Sequence, residues 1–477
     1  MSNCLMRILL TTHAYPPRSC GGAENYCRQL ACALSDRGHE VRVLSAAIAP
    51  RRAVVEERVD GLRCTFVEKP FDPHEQVFAR ADDEAAAAVD QLLESFCPQL
   101  VHINHLGHLT LDLPRRAARA GAAVVATLHD HWLHCPTSHL LQYGRRRCSG
   151  PGLWKCARCT RWSFTRIEPT PPNASLPMRL GRAILRRIAA FWELPEGALR
   201  LRERCSRVAD ALTEIDRLIC PSRHLLEFSR RCGAPEAKLV FLRHGLPPSV
   251  FASSGDRRTA TEEPHASPPP RAEAADGRRP IRFGFIGSFN AVKGIEVLLR
   301  AFDGLEGVEL ILYGRDPDNR LAPFAHLLAQ GHVSHRGFLT EDRKREALAE
   351  LDCLVVPSTC YENSPLVIQE AFAAGVPVLA SNIGGMAELV RPGEGGWQFA
   401  VGDWRDLRRW VERLRDRPEL IDAGRRTIPP VPTLAEHVAA VELIYAEVLA
   451  ARSAGAIARS CPVPASCRPS QSVRTMS

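Results

Sequence analysis

The sequence predicts an α/β protein made of two doubly wound domains. Its 477 residues exceed what one compact core usually holds, because domains commonly contain about 100 to 200 residues. Short apolar segments typical of buried strands alternate with amphipathic segments along most of the chain, a pattern that indicates parallel sheets covered by helices. A strand, a glycine-containing loop and a helix follow one another near residue 7 and again near residue 281. We therefore expect one such domain in each half of the chain.

The composition is that of an ordinary globular protein, with 45% apolar and 24% charged residues. The N-terminal residues contain only one short apolar stretch, and no run of about 18 uncharged apolar residues occurs anywhere. We therefore expect a cytoplasmic protein without a signal peptide. The net charge of +8 is compatible with a membrane surface or an anionic substrate and requires neither. We expect no nucleic acid among its partners.

The first domain begins with a predicted strand at Arg7–Thr12 and a helix from about Ala23 to Arg37, followed by a strand at Glu40–Ser45. The loop between the first strand and the helix contains Gly21 and Gly22. Glycines at such a position allow a ligand, most often a phosphate, to approach the backbone. A Gly-Gly pair can also serve only to give the turn its positive φ.

Two further predicted strands, Leu100–Asn104 and Val124–Leu128, each lead into a histidine-rich loop. Parallel sheets bind their ligands outside the carboxyl ends of the strands, so these loops are candidate binding segments. His102 and His108 are interpreted as ordinary core or loop histidines, because one such residue usually has its hydrogen bonds satisfied within the protein. A segment at Arg217–Ser222 is predicted to be the last strand of this domain.

Four cysteines follow the second of these loops, at Cys135, Cys148, Cys156 and Cys159. One Cys-x-x-Cys motif with two outlying cysteines can form a tetrahedral structural zinc site that fixes a long loop. Free thiols or a disulfide are the alternatives, and a reducing compartment favours thiols or metal ligands over disulfides. Zinc is therefore a hypothesis for residues 135–159, and no cofactor is expected to be required for the reaction.

The segment from Met178 to Asp210 is rich in arginine and carries apolar residues at helical spacing. Ile184, Leu185, Ile188, Phe191 and Trp192 share one face of the predicted helix. Such a face suits a membrane surface or an anionic lipid-linked acceptor, and it equally suits packing against the protein core. We take core packing as the expectation.

The second domain is predicted to begin with the strand, loop and helix of IRFGFIGSFNAVKGIEVLLRAF, in which Gly287, Ser288 and Lys293 belong to the loop and the helix entrance. A lysine at that position can neutralise a diphosphate, or it can simply be solvated. Further along, Cys353–Val356 is a predicted strand, and the following helix is predicted to have Ser364 as its N-cap and Pro365 as its first residue. A short strand at Val376–Ala380 completes this unit.

Two glutamates flank the start of that helix, Glu362 in the loop before it and Glu370 within it. The free amides of a helix N-terminus can hold a phosphate or diphosphate, whereas carboxylates beside such an anion must accept hydrogen bonds from neutral hydroxyls. A nucleotide sugar offers this combination. The alternative is that both acids are ordinary surface residues favoured by the helix dipole.

The segment PSTCYENSPLVIQEAFAAGVPVLASNIGGMAEL resembles the signature of the retaining glycosyltransferases of family 4, in which two glutamates with seven residues between them precede an apolar helix and a Gly-x-Pro-Val strand. The pattern GGAE, followed by Arg-Gly-His-Glu-Val, is similar to the start of the same family. The resemblance implies a GT-B fold, in which two Rossmann-like domains face each other across a cleft. It also implies transfer of a sugar from a nucleotide diphosphate sugar to an acceptor hydroxyl, with retention and without a metal.

The resemblance assigns roles to individual residues. Glu362 would contact the donor sugar, Glu370 the ribose, and His129 would be the active-site histidine beside the donor sugar. Lys293 would neutralise the diphosphate. The other implied contacts are the donor-binding residues Gly21, Gly22, Gly287, Ser288, Ser364, Pro365 and Leu366, and the acceptor-side residues His105 and Asp130.

Ser288 departs from the family pattern, because the family usually has an arginine at this position. Lys293 would then act alone, or Arg315 or another cation would help it. The departure leaves open a catalytically weak nucleotide-sugar-binding or scaffold protein of the same fold. A phosphorylase-like or nucleotide-sugar-hydrolysing enzyme is a further alternative.

The expected domain limits follow from these segments. The first domain covers residues 1–252 and the second covers residues 281–432, joined by a Pro- and Arg-rich linker or disordered insertion at 253–280. By the resemblance, a helix at 433–452 returns to the first domain. Residues 453–477 are expected to form a disordered tail. A saccharide or lipid-linked acceptor is expected, with peripheral membrane contact as an option.

Overall fold

The computed structural model describes residues 5–19, 21–79, 82–144, 146–161, 175–251 and 279–455. Among these, the residues up to Arg243 and those from Ala435 form one compact unit, and His244–Leu434 form the other. The first unit thus ends before residue 252. The predicted linker at 253–280 lies outside the described residues except for its last two positions, and so does nearly all of the predicted tail.

The first unit contains an eight-stranded sheet with the strand order β10-β9-β6-β5-β1-β2-β4-β3. All neighbouring strands are parallel except β3, which pairs antiparallel with β4 at one edge. The strands are β1 Arg7–Thr12, β2 Glu40–Ile48, β3 Ala53–Val59, β4 Leu62–Lys69, β5 Leu100–Ile103, β6 Ala123–Thr127, β9 Arg217–Cys220 and β10 Leu239–Phe241, and a separate hairpin consists of β7 Leu141–Gln142 and β8 Arg146–Arg147.

The helices of the first unit cover both faces of this sheet or follow the hairpin. They are α1 Gly22–Asp36, α2 Pro73–Phe78, α3 Asp83–Phe96, α4 Leu113–Arg119, α5 Leu153–Thr160, α6 Leu176–Trp192, α7 Leu194–Glu214, α8 Arg223–Arg231 and, from the C-terminal part of the chain, α16 Leu434–Ser453. Helix α16 belongs to the first unit from Ala435 onward. Its His437 lies 2.8 Å from the hydroxyl of Tyr26 on α1, so the two helices are in direct contact.

The second unit contains a six-stranded, fully parallel sheet in the order β13-β12-β11-β14-β15-β16. Its elements are β11 Ile281–Ile286, α9 Ile295–Phe302, β12 Val308–Tyr313, α10 Ala325–Ala329, β13 Val333–His335, α11 Lys344–Ala349, β14 Cys353–Val356, α12 Leu366–Ala373, β15 Val378–Ser381, α13 Gly384–Leu389, β16 Gly396–Phe399, α14 Trp404–Asp416 and α15 Glu419–Arg426. This strand order is that of a Rossmann fold, in which the direction of winding reverses beside the first strand.

The apolar strands of the second unit are buried on both faces, as parallel sheets require. Leu310, Leu312 and Val355 face one core, whereas Ile311 and Leu354 face the core on the opposite side. Successive side chains point to opposite faces of a strand, so a continuous apolar run fills both layers. The α/β class and the two doubly wound sheets predicted from the sequence are therefore confirmed.

Two expectations about the first unit are wrong. Arg217–Ser222 does not supply the last strand, because β10 at Leu239–Phe241 follows β9 and forms the edge of the sheet. Helix α6 does not turn its apolar face to the core, since Ile184, Ile188 and Trp192 are all exposed. The spacing of apolar residues in α6 correctly predicted a helix, but it could not show whether the apolar face packs against the core or faces solvent.

A third correction concerns the second unit, where the strand after α12 is Val378–Ser381 instead of Val376–Ala380. Pro377 has no amide hydrogen, which disfavours it inside a buried strand. None of the helices in the described part of the chain is long and apolar enough to cross a lipid bilayer.

Candidate active site

The winding of the second sheet reverses between β11 and β14, and the loops that follow these two strands meet at its carboxyl edge. Gly294 makes this approach possible. It has a φ of +75°, and a Cβ at this position would lie 1.9 Å from the carbonyl oxygen of Pro357. The Thr359 amide donates to the carbonyl oxygen of Val292 at 2.8 Å and ties the loops together. Any residue but glycine at position 294 would separate the two loops.

The contact between these loops places Lys293 against Glu362. Lys293 Nζ donates to Glu362 Oε1 at 2.6 Å, and Ser358 Oγ donates to the same oxygen at 2.9 Å. Burial alone would lower the pKa of Lys293, but the Glu362 carboxylate outweighs burial and raises it. The backbone of Lys293 is fixed by Asn290, whose side chain accepts a hydrogen bond from its amide at 2.9 Å. A cation and a carboxylate therefore lie together at the switch point of the sheet.

Helix α12 begins one residue later than the sequence suggested. Its first residue is Leu366 and its N-cap position is Pro365, with no side-chain capping bond. Ser364 is therefore not the N-cap, and its hydroxyl instead accepts a hydrogen bond from Gln369 at 3.3 Å. Because proline offers no side-chain acceptor, the amides of the first turn receive no cap from it, and such amides are suited to an anion.

Glu370 is buried in α12, with a relative exposure of 3%. Its Oε1 accepts a hydrogen bond from Lys344 Nζ at 2.8 Å, and Lys344 also lies 2.8 Å from Glu341 Oε1. Its Oε2 is buried and has no hydrogen-bond partner among the described residues. Burial raises the pKa of Glu370, whereas Lys344 opposes this effect. One carboxylate oxygen thus remains available for a donor group from a ligand.

Gly287 and Ser288 lie in the loop after β11, next to the loop after β12. A Cβ on Gly314 would be 1.9 Å from the Gly287 carbonyl oxygen, so the two backbones are in close contact. The Phe289 amide donates to the carbonyl oxygen of Arg315 at 2.9 Å. The guanidinium of Arg315 lies 4.3 Å from the ring centroid of Phe338, a cation–π contact. The backbone of Arg315 therefore lies beside the loop that contains Ser288, whereas its guanidinium packs on Phe338.

A cavity opens at the carboxyl ends of β12 and β13. It is lined by Tyr313 at the end of β12, by Arg336 and Phe338 after β13, and by Arg343 and Glu346 at the start of α11. Arg336 bridges this wall, with its Nη1 2.6 Å from Glu350. Tyr313 at the end of β12 and Phe338 after β13 therefore line the same cavity.

In the first unit, the winding reverses between β1 and β5. The loop after β1 leads to α1, for which Gly21 is the N-cap position and Gly22 the first residue, without a side-chain capping bond. The carboxylate of Glu24 lies over this helix start, because a Cβ on Gly21 would be 2.5 Å from Glu24 Oε2. Glu24 Oε1 in turn lies 3.3 Å from the Ser19 hydroxyl and 3.7 Å from His13 Nε2.

The loops after β5 and β6 bring His105 and Asp130 together. His105 Nε2 lies 3.5 Å from Asp130 Oδ2, and its Nδ1 accepts a hydrogen bond from the Gly107 amide at 2.9 Å. Asp130 also accepts the Trp132 amide at 2.7 Å. Burial opposes ionisation of Asp130, but His105 outweighs it and holds the pKa of Asp130 below its usual range. The ring centroids of His13 and His105 lie 4.3 Å apart, with the two rings tilted by 51°.

His129 follows β6 and lies in the wall of the same cavity that His105 and Asp130 line. Its Nε2 is 3.3 Å from Asn104 Oδ1, and its ring packs edge-on against Tyr26 at 4.8 Å. Burial lowers the pKa of His129 to about 3, so the ring is neutral near pH 7. A neutral ring at this position can exchange hydrogen bonds with hydroxyls but carries no charge.

His102 and His108 have structural partners, as expected. His102 is fully buried between the Tyr445 and Thr127 hydroxyls, at 2.5 and 2.8 Å, and burial lowers its pKa to about 3. His108 lies 4.0 Å from Glu75, and burial lowers its pKa to about 4.

The four-cysteine loop forms the β7–β8 hairpin followed by α5. Cys135, Cys148, Cys156 and Cys159 are all free thiols. The Tyr143 amide donates to Cys159 Sγ at 3.2 Å, and burial raises the pKa of Cys156 to about 11. Within the described ranges, no three His, Cys, Asp or Glu side chains are arranged to hold a metal ion. The zinc site therefore remains a prediction from spacing alone.

The sequence reasoning missed three side chains that complete these sites. Ser358 holds Glu362, Lys344 holds Glu370 and Asn104 contacts His129. Ser358 could have been found, because it belongs to the Pro-Ser strand end of the signature. Lys344 gave no such signal, since it comes from a different helix and its distance to Glu370 along the chain has no fixed meaning.

Comparison with known proteins gives two family matches. Residues 280–417 match the model described as glycosyl transferases group 1, and residues 21–168 match the model described as glycosyl transferase 4-like domain. Each match contains one of the two groups of site residues. The first covers Lys293, Glu362 and Glu370, and the second covers Gly22, His105 and His129.

Among curated proteins, the chain is 32% identical over 124 residues to the phosphatidyl-myo-inositol mannosyltransferase of Mycobacterium leprae, over 25% of this chain and 33% of that protein. The chain thus spans about a third of that relative. It is 27% identical over 337 residues to the D-inositol 3-phosphate glycosyltransferase of Mycolicibacterium gilvum, over 67% of this chain and 68% of that protein.

Among solved structures, the chain is similar to HepE of Anabaena in complex with UDP and glucose. The TM-score is 0.57 at 15% identity, over 94% of this chain and 100% of that chain. Identity this low bears on the fold alone. The two Rossmann-like units are therefore those of a GT-B fold, which confirms the fold predicted from the sequence.

Proposed function

Because this chain belongs to the group 1 glycosyltransferases of the family 4 type, we propose that it transfers a sugar from a nucleotide diphosphate sugar to an acceptor hydroxyl with retention at the anomeric carbon. The observation that carries the proposal is the contact of 2.6 Å between Lys293 and Glu362, where the winding of the second sheet reverses. Doubly wound sheets bind nucleotides at this position.

The donor would be held by groups of opposite character. The amides at the start of α12 and the ammonium of Lys293 would face the diphosphate, while Glu362 accepts hydrogen bonds from the sugar hydroxyls. Glu370 would accept from a ribose hydroxyl through Oε2, which has no protein partner in the described residues. The base would enter the cavity between Tyr313 and Phe338. Each part of a nucleotide sugar then has a matching group in the second unit.

The main contribution to rate would come from charge stabilisation of the leaving nucleotide. As the bond to the anomeric carbon breaks, negative charge grows on the β-phosphate, and donors aimed at that charge lower the barrier. Lys293 stays protonated because Glu362 raises its pKa. A lysine and helix amides can meet this charge, so we propose that the reaction does not require a metal.

The acceptor would be bound by the first unit, at the cavity lined by His105, His129 and Asp130. Asp130 stays ionised and can orient an acceptor hydroxyl, while the neutral ring of His129 can exchange hydrogen bonds with a hydroxyl of the acceptor. A saccharide or lipid-linked saccharide hydroxyl would suit these groups. The names of two curated relatives, a phosphatidyl-myo-inositol mannosyltransferase and a D-inositol 3-phosphate glycosyltransferase, are in line with such an acceptor.

A panel of nucleotide sugars, first ranked by thermal shift, tests the proposal. A ligand that binds the folded protein raises its melting temperature. The nucleotide sugars that bind are then incubated with mono- and oligosaccharide acceptors, and the anomeric configuration of any product is determined by NMR. Retention is expected, with unchanged rate in EDTA. Inversion at the anomeric carbon, or loss of activity in EDTA, would contradict the corresponding part of the proposal.

Ser288 favours one alternative, a nucleotide-sugar-binding or scaffold protein with weak catalysis. In that case nucleotide sugars bind, but no acceptor yields product and no free nucleotide diphosphate accumulates. A nucleotide-sugar hydrolase would release the nucleotide diphosphate without acceptor. Measuring nucleotide release with and without acceptor therefore separates the three functions.

A further inference from the structure

Helix α6 of the first unit presents an apolar face to solvent. Seven of its large apolar side chains are between 50% and 75% exposed, and they are Leu176, Met178, Leu180, Ile184, Leu185, Ile188 and Trp192. A group of this size on one helix is unusual on a protein surface, where large apolar side chains normally occur singly. Some partner is therefore expected to cover this helix.

Four of these exposed side chains form one stripe along the helix. Leu180, Ile184, Ile188 and Trp192 follow one another at intervals of four residues, which places them on the same side because an α-helix has 3.6 residues per turn. Gly181 falls within the stripe and leaves it without a polar interruption. The stripe runs over more than three turns, so it offers an extended line of contact.

The charged residues of α6 are all positive. The sequence from Leu176 to Trp192 contains four arginines and neither aspartate nor glutamate. Arg179 and Arg182 lie three residues apart on a side of the helix distinct from the stripe, and Arg179 is exposed. A helix with an apolar stripe and with charges of positive sign alone is complementary to a surface that is apolar inside and negatively charged at its boundary.

We propose that α6 docks this protein on an anionic lipid surface. The stripe would enter the boundary between headgroups and acyl chains, Trp192 would lie at the headgroup level, and the arginines would contact lipid phosphates. The core packing expected from the sequence is excluded by the exposure of the stripe. A second copy of this chain is a poorer occupant, because an isologous contact would bring two uniformly positive helices together.

This inference goes beyond the proposed transfer reaction and does not depend on it. An enzyme bound to a membrane would meet lipid-linked acceptors by diffusion in two dimensions. A protein of the same fold with another activity could nevertheless dock on the membrane in the same way. Vesicle binding can therefore succeed or fail independently of sugar transfer.

The test is vesicle co-sedimentation of the full chain. Vesicles of phosphatidylglycerol with phosphatidylcholine are compared with vesicles of phosphatidylcholine alone, at low and high salt. We expect binding to the anionic vesicles that weakens with salt, because headgroup electrostatics are screened. The double variant Ile184→Asp, Ile188→Asp should bind at least about tenfold more weakly, since it puts two carboxylates into the stripe.

The matched control is the double variant Leu199→Asp, Leu443→Asp, which changes two exposed leucines outside α6 by the same substitution. Its affinity for vesicles should be within about twofold of the wild-type affinity, after correction for the repulsion between its two added carboxylates and the anionic lipids. The variant Arg179→Gln should lose about fivefold on anionic vesicles and nothing on neutral ones. Circular dichroism should be the same for all variants.

Three results would overturn the proposal. The wild type fails to bind anionic vesicles, or the Ile184→Asp, Ile188→Asp variant binds as well as the control, or binding is equal on neutral and anionic vesicles. Light scattering adds a fourth. If the wild type is a dimer and the α6 variant is a monomer, a second copy covers the stripe and the lipid assignment is wrong.

Discussion

The buried carboxylate of Glu370 offers the sharpest test of the donor site. Its Oε2 has no protein partner among the described residues, and its Oε1 is 2.8 Å from Lys344 Nζ. A ribose hydroxyl donating to this carboxylate would form a charge-assisted hydrogen bond, which contributes about 1.5 to 3 kcal/mol, whereas a neutral one contributes about 0.5 to 1.5 kcal/mol. We therefore expect graded losses from two substitutions at this position.

Glu370→Gln keeps an acceptor oxygen but loses the charge. The difference between the two kinds of hydrogen bond is about 1 to 1.5 kcal/mol, so nucleotide affinity should fall about 5- to 13-fold. Glu370→Ala removes the acceptor and should lower affinity about 10- to 150-fold. Both variants remove one ion pair of Lys344, which keeps Glu341 at 2.8 Å. The free energy of unfolding should therefore fall by about 1 to 3 kcal/mol without loss of the fold.

Isothermal titration calorimetry measures the effect. UDP, GDP and ADP are titrated separately into the wild type, and the nucleotide that binds is then used for the variants. Glu306→Gln, an exposed glutamate of the same unit, makes the same change of charge away from the site. Equal affinity in the wild type and in Glu370→Ala, with matching circular dichroism, would refute the assignment of the ribose to Glu370. Equal losses in Glu306→Gln would show a general charge effect instead.

Four further results are expected. Lys293→Met should lower kcat about 10²- to 10³-fold in a nucleotide-release assay because the leaving diphosphate loses its cation, whereas an unchanged kcat would move that role elsewhere. Ser288→Arg should raise kcat/KM if the absent arginine limits turnover, and Arg315→Gln should lower kcat/KM. If neither variant changes kcat/KM, Lys293 alone neutralises the diphosphate. Burial lowers the pKa of His102 to about 3, whereas its value in the unfolded state is near 6.5. Between these values only the unfolded state binds the proton, so the free energy of unfolding should fall by about 1.4 kcal/mol for each unit by which the pH drops from 6.5 toward 3. Melting temperatures measured from pH 7 to 4.5 should show this loss, and the loss should be smaller in His102→Gln. The zinc hypothesis predicts one zinc per chain by native mass spectrometry, lost in Cys148→Ser, and a metal-free wild type would end that hypothesis.

The sequence was a good guide where local signals act in the same direction as the fold. The strand β1 occurs at Arg7–Thr12 as predicted, because five consecutive apolar or small residues fit a strand buried on both faces. The second unit follows the predicted alternation for the same reason. The contact of Lys293 with Glu362 also follows from sequence once the topology is known, since the two residues belong to the segments that follow β11 and β14 beside the switch point.

Helix boundaries and partner residues were harder to predict. Ser364-Pro365 fits the usual residue preferences of a helix start, yet the helix begins at Leu366. The carbonyl oxygen of Glu362 accepts the Gly385 amide at 2.8 Å, so α13 helps to fix the loop that precedes α12. A Cβ on Gly385 would lie 1.4 Å from the carbonyl oxygen of Asn363, a close approach that only glycine permits. Tertiary contacts of this kind override local capping preference, and no local window of sequence contains them.

Helix α6 shows a more general limit. Hydrophobic period gives the side on which apolar residues lie, but the same period describes a helix that faces a core and one that faces a membrane. Length does not separate them either, since α6 is 17 residues long and both kinds of helix reach that length. The two kinds of helix differ in the charges that their polar face carries. A core-facing helix usually mixes acids and bases on its solvent side, whereas α6 carries arginines and no acid. The absence of acidic residues was visible in the sequence, and it favours the outward orientation that the structure gives Ile184 and Trp192.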